Sequence, residues 1–220
     1  MENEPTVFVV DDDPAARGSV AALVASHGLK VETFGSAEEF LAARDRAQPG
    51  CLIADVRMAG MSGLELQERL AAKGDPLPVI VITGFADIPM AVRAMQAGAI
   101  TFLEKPCADN ELWQSIQAAL DSDDRVQANR QENADVLARR ANLTPAEVDV
   151  LERLLAGKPN KQIAAELGVG LRTVELRRAT IMKKMRAESL PDLVRLVLIA
   201  EGKSPEAKRA DGAVADETSQ

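Results

Sequence analysis

Three aspartates, a threonine and a lysine stand at the ends of short apolar runs. Asp11 and Asp12 follow Thr6–Val10, Asp55 closes Cys51–Asp55, Thr83 follows Val79–Ile82, and Lys105 follows Ile100–Glu104. Apolar, β-branched runs of this length read as buried strands. An open α/β sheet gathers its strand ends along one edge, so the five side chains should converge. Three clustered carboxylates repel each other, and a hard divalent cation such as Mg²⁺ offsets their charge. Lys105 adds a compact positive charge for a phosphoryl oxygen, and Thr83 adds a hydroxyl donor. Together they suit transfer of a phosphoryl group onto a carboxylate, with Asp55 as the nucleophile.

A second constellation lies far downstream. Residues 171–186 hold six Lys and Arg against one Glu. On a helix from Leu171 to Met185, Val174, Ile181 and Met185 share one side, as core. Arg172, Glu175, Leu176, Ala179 and Lys183 share the opposite side and could meet base edges in a major groove. Thr173, Arg177, Thr180 and Lys184 lie on its flank, suited to phosphates, and Lys161 is a further candidate contact. Glu175 could accept from a cytosine amino group. A short helix, Asn160–Leu167, and a turn at Gly168-Val169 come just before, which is the pattern of a helix-turn-helix.

The elements that must position these residues follow from the same periodicities. Lys30–Phe34 is a further strand. Helices are expected from Ala15 to Ser26, from Ser36 to about Arg46, after Ser62-Gly63, after Asp87, and from about Asp109. Strands alternating with helices predict a parallel sheet covered on both faces. In the second half, Thr144-Pro145-Ala146-Glu147 is a helix start with cap, Pro and capping-box Glu. That helix stops at Gly157, and a last one runs from Leu190 to about Ala200. Between the halves, residues 107–141 carry a broken helical pattern interrupted by Asp121-Ser122-Asp123-Asp124. Either one long helix or a charged linker after Leu120 is consistent with it, and strong helix formers over 125–140 favour helix. Residues 203–220 lack periodicity and are expected to be disordered.

Length and charge agree with two domains. The chain has 220 residues and a net charge of −8, which hides an asymmetry. Residues 1–120 hold nine Lys and Arg against 17 Asp and Glu, whereas residues 142–202 hold ten against eight. No apolar run is long enough to span a bilayer, no signal peptide is visible, and Cys51 and Cys107 have no metal or redox spacing. A reduced, cytoplasmic chain with no membrane partner is expected. His27 is the only histidine and sits at a predicted helix end, so a phosphohistidine donor must belong to another protein. Trp113 is expected to pack.

Val10-Asp11-Asp12, Ala54-Asp55, Ile82-Thr83-Gly84 and Glu104-Lys105-Pro106 resemble the receiver domain of two-component response regulators, over about residues 5–120. The resemblance implies a flavodoxin-like (βα)5 sheet with Asp55 as phospho-acceptor. It implies Mg²⁺ held by Asp11, Asp12, Asp55 and the Arg57 carbonyl. It also implies Thr83 and Phe102 as a switch pair, and a cis Lys105-Pro106 peptide. Ala59 stands where the family often has Pro.

Residues 141–202 resemble the LuxR/NarL-type DNA-binding domain, through Leu143-Thr144-Pro145-Ala146-Glu147, Gly157–Ala164 and Arg172-Thr173-Val174-Glu175. Lys184–Pro191 gives a likeness to the FixJ/TodT/StyR subgroup. This implies an all-α four-helix domain that binds DNA as a dimer, the last helix often forming the dimer contact. Arg177 stands where His is usual, and Gly170 where Ser usually caps.

The expected organisation is a receiver over 1–120, a helical or mixed connector over 121–141, a helix-turn-helix domain over 142–202 and a tail. The expected function is a transcription regulator, not an enzyme. A sensor histidine kinase phosphorylates it, it dimerises through Met90, Val92, Leu112 and Ile116, and it binds an inverted repeat, with RNA polymerase as a candidate partner. The alternatives are a receiver-like regulator controlled by protein contacts without phosphorylation, and an Asp-nucleophile phosphohydrolase.

Overall fold

The computed structural model describes residues 4–200 and divides the chain into two compact units, Met1–Ala128 and Asn129–Gln220. The expected disorder of 203–220 lies outside the described residues.

The first unit is built on strands β1 (Thr6–Val10), β2 (Lys30–Phe34), β3 (Gly50–Asp55), β4 (Val79–Thr83) and β5 (Thr101–Glu104). All pair in parallel, in the order β2-β1-β3-β4-β5. Helices α1 (Pro14–Ser26), α2 (Ala37–Ala43), α3 (Gly63–Ala72), α4 (Ile88–Gln96) and α5 (Asp109–Ala141) alternate with the strands. The alternation of side chains along each strand sorts them into two cores. Phe8, Val10, Leu52, Ala54, Val79 and Val81 face Phe40, Leu64, Leu66 and Leu70 of α2 and α3. Val7, Val9, Cys51, Ile53, Ile80 and Ile82 face Val20 and Val24 of α1 and Leu112, Ile116 and Ala119 of α5. Each fully buried Leu, Ile, Val or Phe contributes roughly 1.5–3 kcal/mol. α2 stops at Ala43, short of the expected Arg46. Arg44 is needed elsewhere: its guanidinium pairs with buried Asp75 at 3.3 Å.

Two glycines pinch β3. A Cβ on Gly50, whose φ is +144°, would stand 1.8 Å from the Thr6 carbonyl oxygen. A Cβ on Gly63 would stand 2.2 Å from the carbonyl oxygen of Asp55. Only glycine permits either approach.

The acidic run that seemed to interrupt α5 does not break it. The helix runs through to Ala141. Asp123 is buried at 2% exposure and its Oδ2 accepts the Gly50 N–H at 2.8 Å, while Gln127 donates to its other oxygen at 3.3 Å. Burial first, and the Asp123 charge second, push the Cys51 thiol up to about 12. Trp113 packs as expected, stacked on the imidazole of His27 at 3.7 Å between ring centroids.

The second unit contains the end of α5, α6 (Pro145–Leu155), α7 (Asn160–Leu167), α8 (Leu171–Met185) and α9 (Leu190–Ala200). Its core joins Val136, Val150, Leu151, Ile163, Val174, Ile181, Met185, Leu193 and Val197. The predicted capping box is present: Thr144 accepts from Glu147 N–H, and Glu147 accepts from Thr144 N–H at 2.7 Å. Glu147 is also held from α8, by the Lys184 ammonium at 2.7 Å.

Two outcomes follow. Asp123→Ala leaves the buried Gly50 N–H without its acceptor, which costs about 1–3 kcal/mol. Urea unfolding followed by Trp113 fluorescence should show a lower midpoint for that variant than for Asp123→Asn, which keeps an oxygen acceptor. Lys184, with the Thr144 amide, holds the Glu147 carboxyl below its ordinary range. A depressed carboxyl stabilises the fold above its unfolded pKa of about 4.3, and that contribution fades as pH falls through the folded value. Hydrogen-exchange protection of the Thr144 amide should fall over that acid window. In Glu147→Gln it should be smaller at neutral pH and lack the acid step.

Candidate functional site

The order β2-β1-β3-β4-β5 puts β1 beside β3, where connections leave in opposite directions and the sheet opens a crevice. Asp11 and Asp12 leave β1 there, and Asp55 is the last residue of β3. Lys105 arrives from the end of β5, followed by the expected cis peptide to Pro106. Its ammonium donates to Asp11 Oδ2 at 2.6 Å and to Asp55 Oδ1 at 2.7 Å. Asp11 and Asp55 are 3% and 6% exposed, so two nearly buried anions share one half-buried cation.

The shifts follow from that count. Burial raises the pKa of Asp55; the Lys105 hydrogen bond opposes the rise, and the Asp11 charge adds to it. Burial works to lower the Lys105 pKa, but bonds to two carboxylates outweigh it and the net shift is upward. Asp55 moves up because its burial, helped by the like-charged Asp11, outweighs its one cation, and Lys105 moves up because two anions outweigh its own burial.

The surrounding backbone fixes the carboxylates. Arg57 N–H donates to Asp55 Oδ2 at 2.7 Å, and Asp13 N–H donates to Asp11 Oδ1 at 2.9 Å. Arg17 of α1 donates to the Asp11 carbonyl at 2.5 Å, a contact with no sequence signal. Thr83 is fully buried, and its hydroxyl oxygen accepts the Phe85 N–H at 3.3 Å. Phe102 is half-buried against the core under α2 and α3. The Arg57 guanidinium lies over the ring of Phe85, 4.4 Å from its centroid.

Asp12 differs from its two neighbours. It is exposed, and its carboxylate accepts the Ala59 N–H at 2.9 Å. Among the described residues no group of three or more His, Cys, Asp or Glu side chains stands in metal-holding geometry. The donor chemistry nevertheless fits a hard cation. Asp11 and Asp55 already converge on a single positive atom, and Asp12 and the Arg57 carbonyl add only oxygen.

In the second unit, Val174, Ile181 and Met185 are buried and Arg172, Thr173, Glu175, Leu176, Ala179 and Lys183 are exposed, as the helical spacing requires. Arg177 and Thr180 are half-buried, and the Thr180 hydroxyl donates to the Leu176 carbonyl at 3.0 Å. Lys161 is exposed near the start of α7. α8 begins at Gly170 with no side-chain cap. Lys184 departs from the expectation of a phosphate contact: its ammonium is engaged by Glu147 and by the Asn142 carbonyl at 3.2 Å.

The dimer candidates need correction. Leu112 and Ile116 are 4% and 0% exposed, because the apolar stripe of α5 turns inward onto β-strand side chains. Met90 is partly buried against the core. Val92 is exposed, in company with Phe85, Ile88 and Met95. The apolar spacing 88, 92, 95 was readable, but α4 buries only Ala94, and periodicity alone does not reveal an apolar face turned outward.

Known proteins match this arrangement along the chain. Residues 7–117 match the response regulator receiver domain, and residues 141–197 match the bacterial regulatory proteins of the luxR family. The transcriptional regulatory protein FixJ of Azorhizobium caulinodans is 47% identical over 202 residues, covering 91% of this chain and 95% of that protein. The response regulator protein TodT of Pseudomonas putida is 42% identical over 190 residues, 86% of this chain and 84% of that protein. The solved structure of the response regulator StyR is 45% identical, with a TM-score of 0.78 over 88% of this chain and 98% of that one. The chain therefore belongs to the two-component response regulators that join a receiver to a LuxR-type DNA-binding domain, and it is a transcriptional regulator of the FixJ/TodT type.

Proposed function

We propose that a sensor histidine kinase transfers a phosphoryl group to Asp55, and that the modified chain dimerises and binds an inverted repeat in DNA. The carrying observation is the pair of nearly buried carboxylates, Asp11 and Asp55, joined by Lys105 at the switch point of the sheet. The Asp55 carboxylate attacks phosphorus as the bond to the donor's imidazole nitrogen breaks. Lys105, bonded to Asp55 beforehand, offers its charge to a phosphoryl oxygen. Thr83 can donate its hydroxyl proton while still accepting from Phe85. Receivers generally use Mg²⁺. Asp11, Asp12, Asp55 and the Arg57 carbonyl are the residues that would hold it, and it would supply charge neutralisation.

The new group carries about −1.5 to −2 charges. Thr83 is tied to Phe85, and Phe85 leads into α4, so a move of Thr83 pulls on the start of that helix. Phe102 is the partner that turns with it. α4 is lightly anchored and shows Ile88, Val92 and Met95 to solvent. That apolar face, with Phe85, is the surface we assign to pairing. The protein acts in the cytoplasm, on operator DNA, with RNA polymerase as a further partner. α8 enters the major groove.

Intact mass after incubation with acetyl phosphate and Mg²⁺ tests the first part. One phosphoryl adduct is expected, and none on Asp55→Asn. An adduct that persists on Asp55→Asn, or no adduct together with no shift to dimer in beryllofluoride, would overturn it. Salt-dependent binding to a mixed-sequence duplex tests the second. Arg177→Ala or Lys161→Ala should flatten the slope of log K against log salt by about 0.9, the value for one lost phosphate contact. Lys184→Gln should leave the slope unchanged, because that ammonium is held within the domain.

A further inference from the structure

The face of α8 turned away from its own core carries Arg172, Glu175, Leu176, Ala179 and Lys183, with Leu176 as its one large apolar side chain. Leu176 is 68% exposed, more than Leu137 or Leu171 in the same unit. Helical geometry puts it roughly opposite Val174, Ile181 and Met185, all 0% exposed. Arg172 lies one turn before it, Ala179 one turn after, and Lys183 two turns after, all exposed. A single exposed leucine is ordinary on a protein surface. Its position between Arg172 and Lys183, in a segment (171–186) with six Lys and Arg against one Glu, is not, because the charge that attracts a polyanion brings that polyanion onto Leu176. Leucine has neither donor nor acceptor, so it cannot recognise the hydrogen-bonding edge of any base. The major groove offers it one apolar group, the 5-methyl of thymine. Opposite cytosine it would cover an amino group and leave it unpaired, which disfavours that base. Ala179, with its short side chain, lets the helix axis approach closely on that side.

We propose that Leu176 reads the methyl group of a thymine in each half-site, and so sets specificity at one position. The proposal rests on the reading that α8 binds DNA. The test is selection of bound duplexes from two random-sequence libraries, one made with thymine and one with uracil, using the full chain with beryllofluoride. In the thymine library the wild type should enrich thymine at one position per half-site. Leu176→Ala should weaken that preference about fourfold, the worth of one buried methylene, and leave other positions alone. In the uracil library the wild-type preference there should fall to the level of the variant. Lys161→Ala, on α7 and off the base-facing strip, should weaken binding to all sequences without changing the preferred base. An enriched thymine position that survives both Leu176→Ala and replacement by uracil would overturn the proposal. So would a selected site in which Leu176→Ala changes no position. If the wild type enriches no sequence at all, the DNA-reading role of α8 fails, and this proposal fails with it.

Discussion

The first unit depends on one ammonium group shared by two nearly buried carboxylates. Taking Asp11 and Asp55 out of water costs several kcal/mol each, and Lys105 returns that cost only because it meets both at hydrogen-bond distance. The pair is therefore weak evidence of stability and better evidence of a site held in tension. Any new anion in the crevice competes for the same ammonium. The fold exists to bring the three groups together from β1, β3 and β5, strands far apart in sequence. A parallel sheet with this strand order does so without further invention, because every strand ends at the same edge.

What surrounds the triad explains how a local event can travel. The Asp55 carboxylate is held by Arg57 N–H, and the Arg57 guanidinium covers Phe85, whose N–H is bonded to Thr83. Loop and strand end are thus joined in a short chain of contacts at the mouth of the crevice. Beyond it lies α4, of which only Ala94 is buried. The helix with the least burial sits next to the chemistry. An element so lightly held can change its population at small energetic cost.

Much of this was legible in the amino-acid sequence, and the residues that were not share a cause. Strand ends, capping boxes and the Gly168 turn are local, and local chemistry determines them. The faces of a helix are different. Periodicity groups Leu112 with Ile116 but is silent on whether the sheet or the solvent receives them, and the sheet does. The same silence left exposed Ile88 and Met95 out of the expected dimer contacts, which named exposed Val92 beside the half-buried Met90. Charge misled twice. Asp123 read as an interruption because it is acidic, yet it is the buried acceptor for Gly50 N–H. Lys184 read as a phosphate contact because its helix is basic, yet Glu147 holds it. A partner more than thirty residues away leaves no trace in a spacing pattern.

Asp123 also bears on where this receiver ends as a transplantable module. The sheet is complete at Glu104 and the last core side chains of α5 come by Leu120, so a boundary drawn there looks tidy. A receiver excised at that point would carry Gly50 without the carboxylate that completes its backbone, at the foot of the strand that delivers Asp55. Recombination onto a different output domain would need to bring along the next turn of helix. The module is longer than its sheet, and its final fastener is borrowed from what looks like linker.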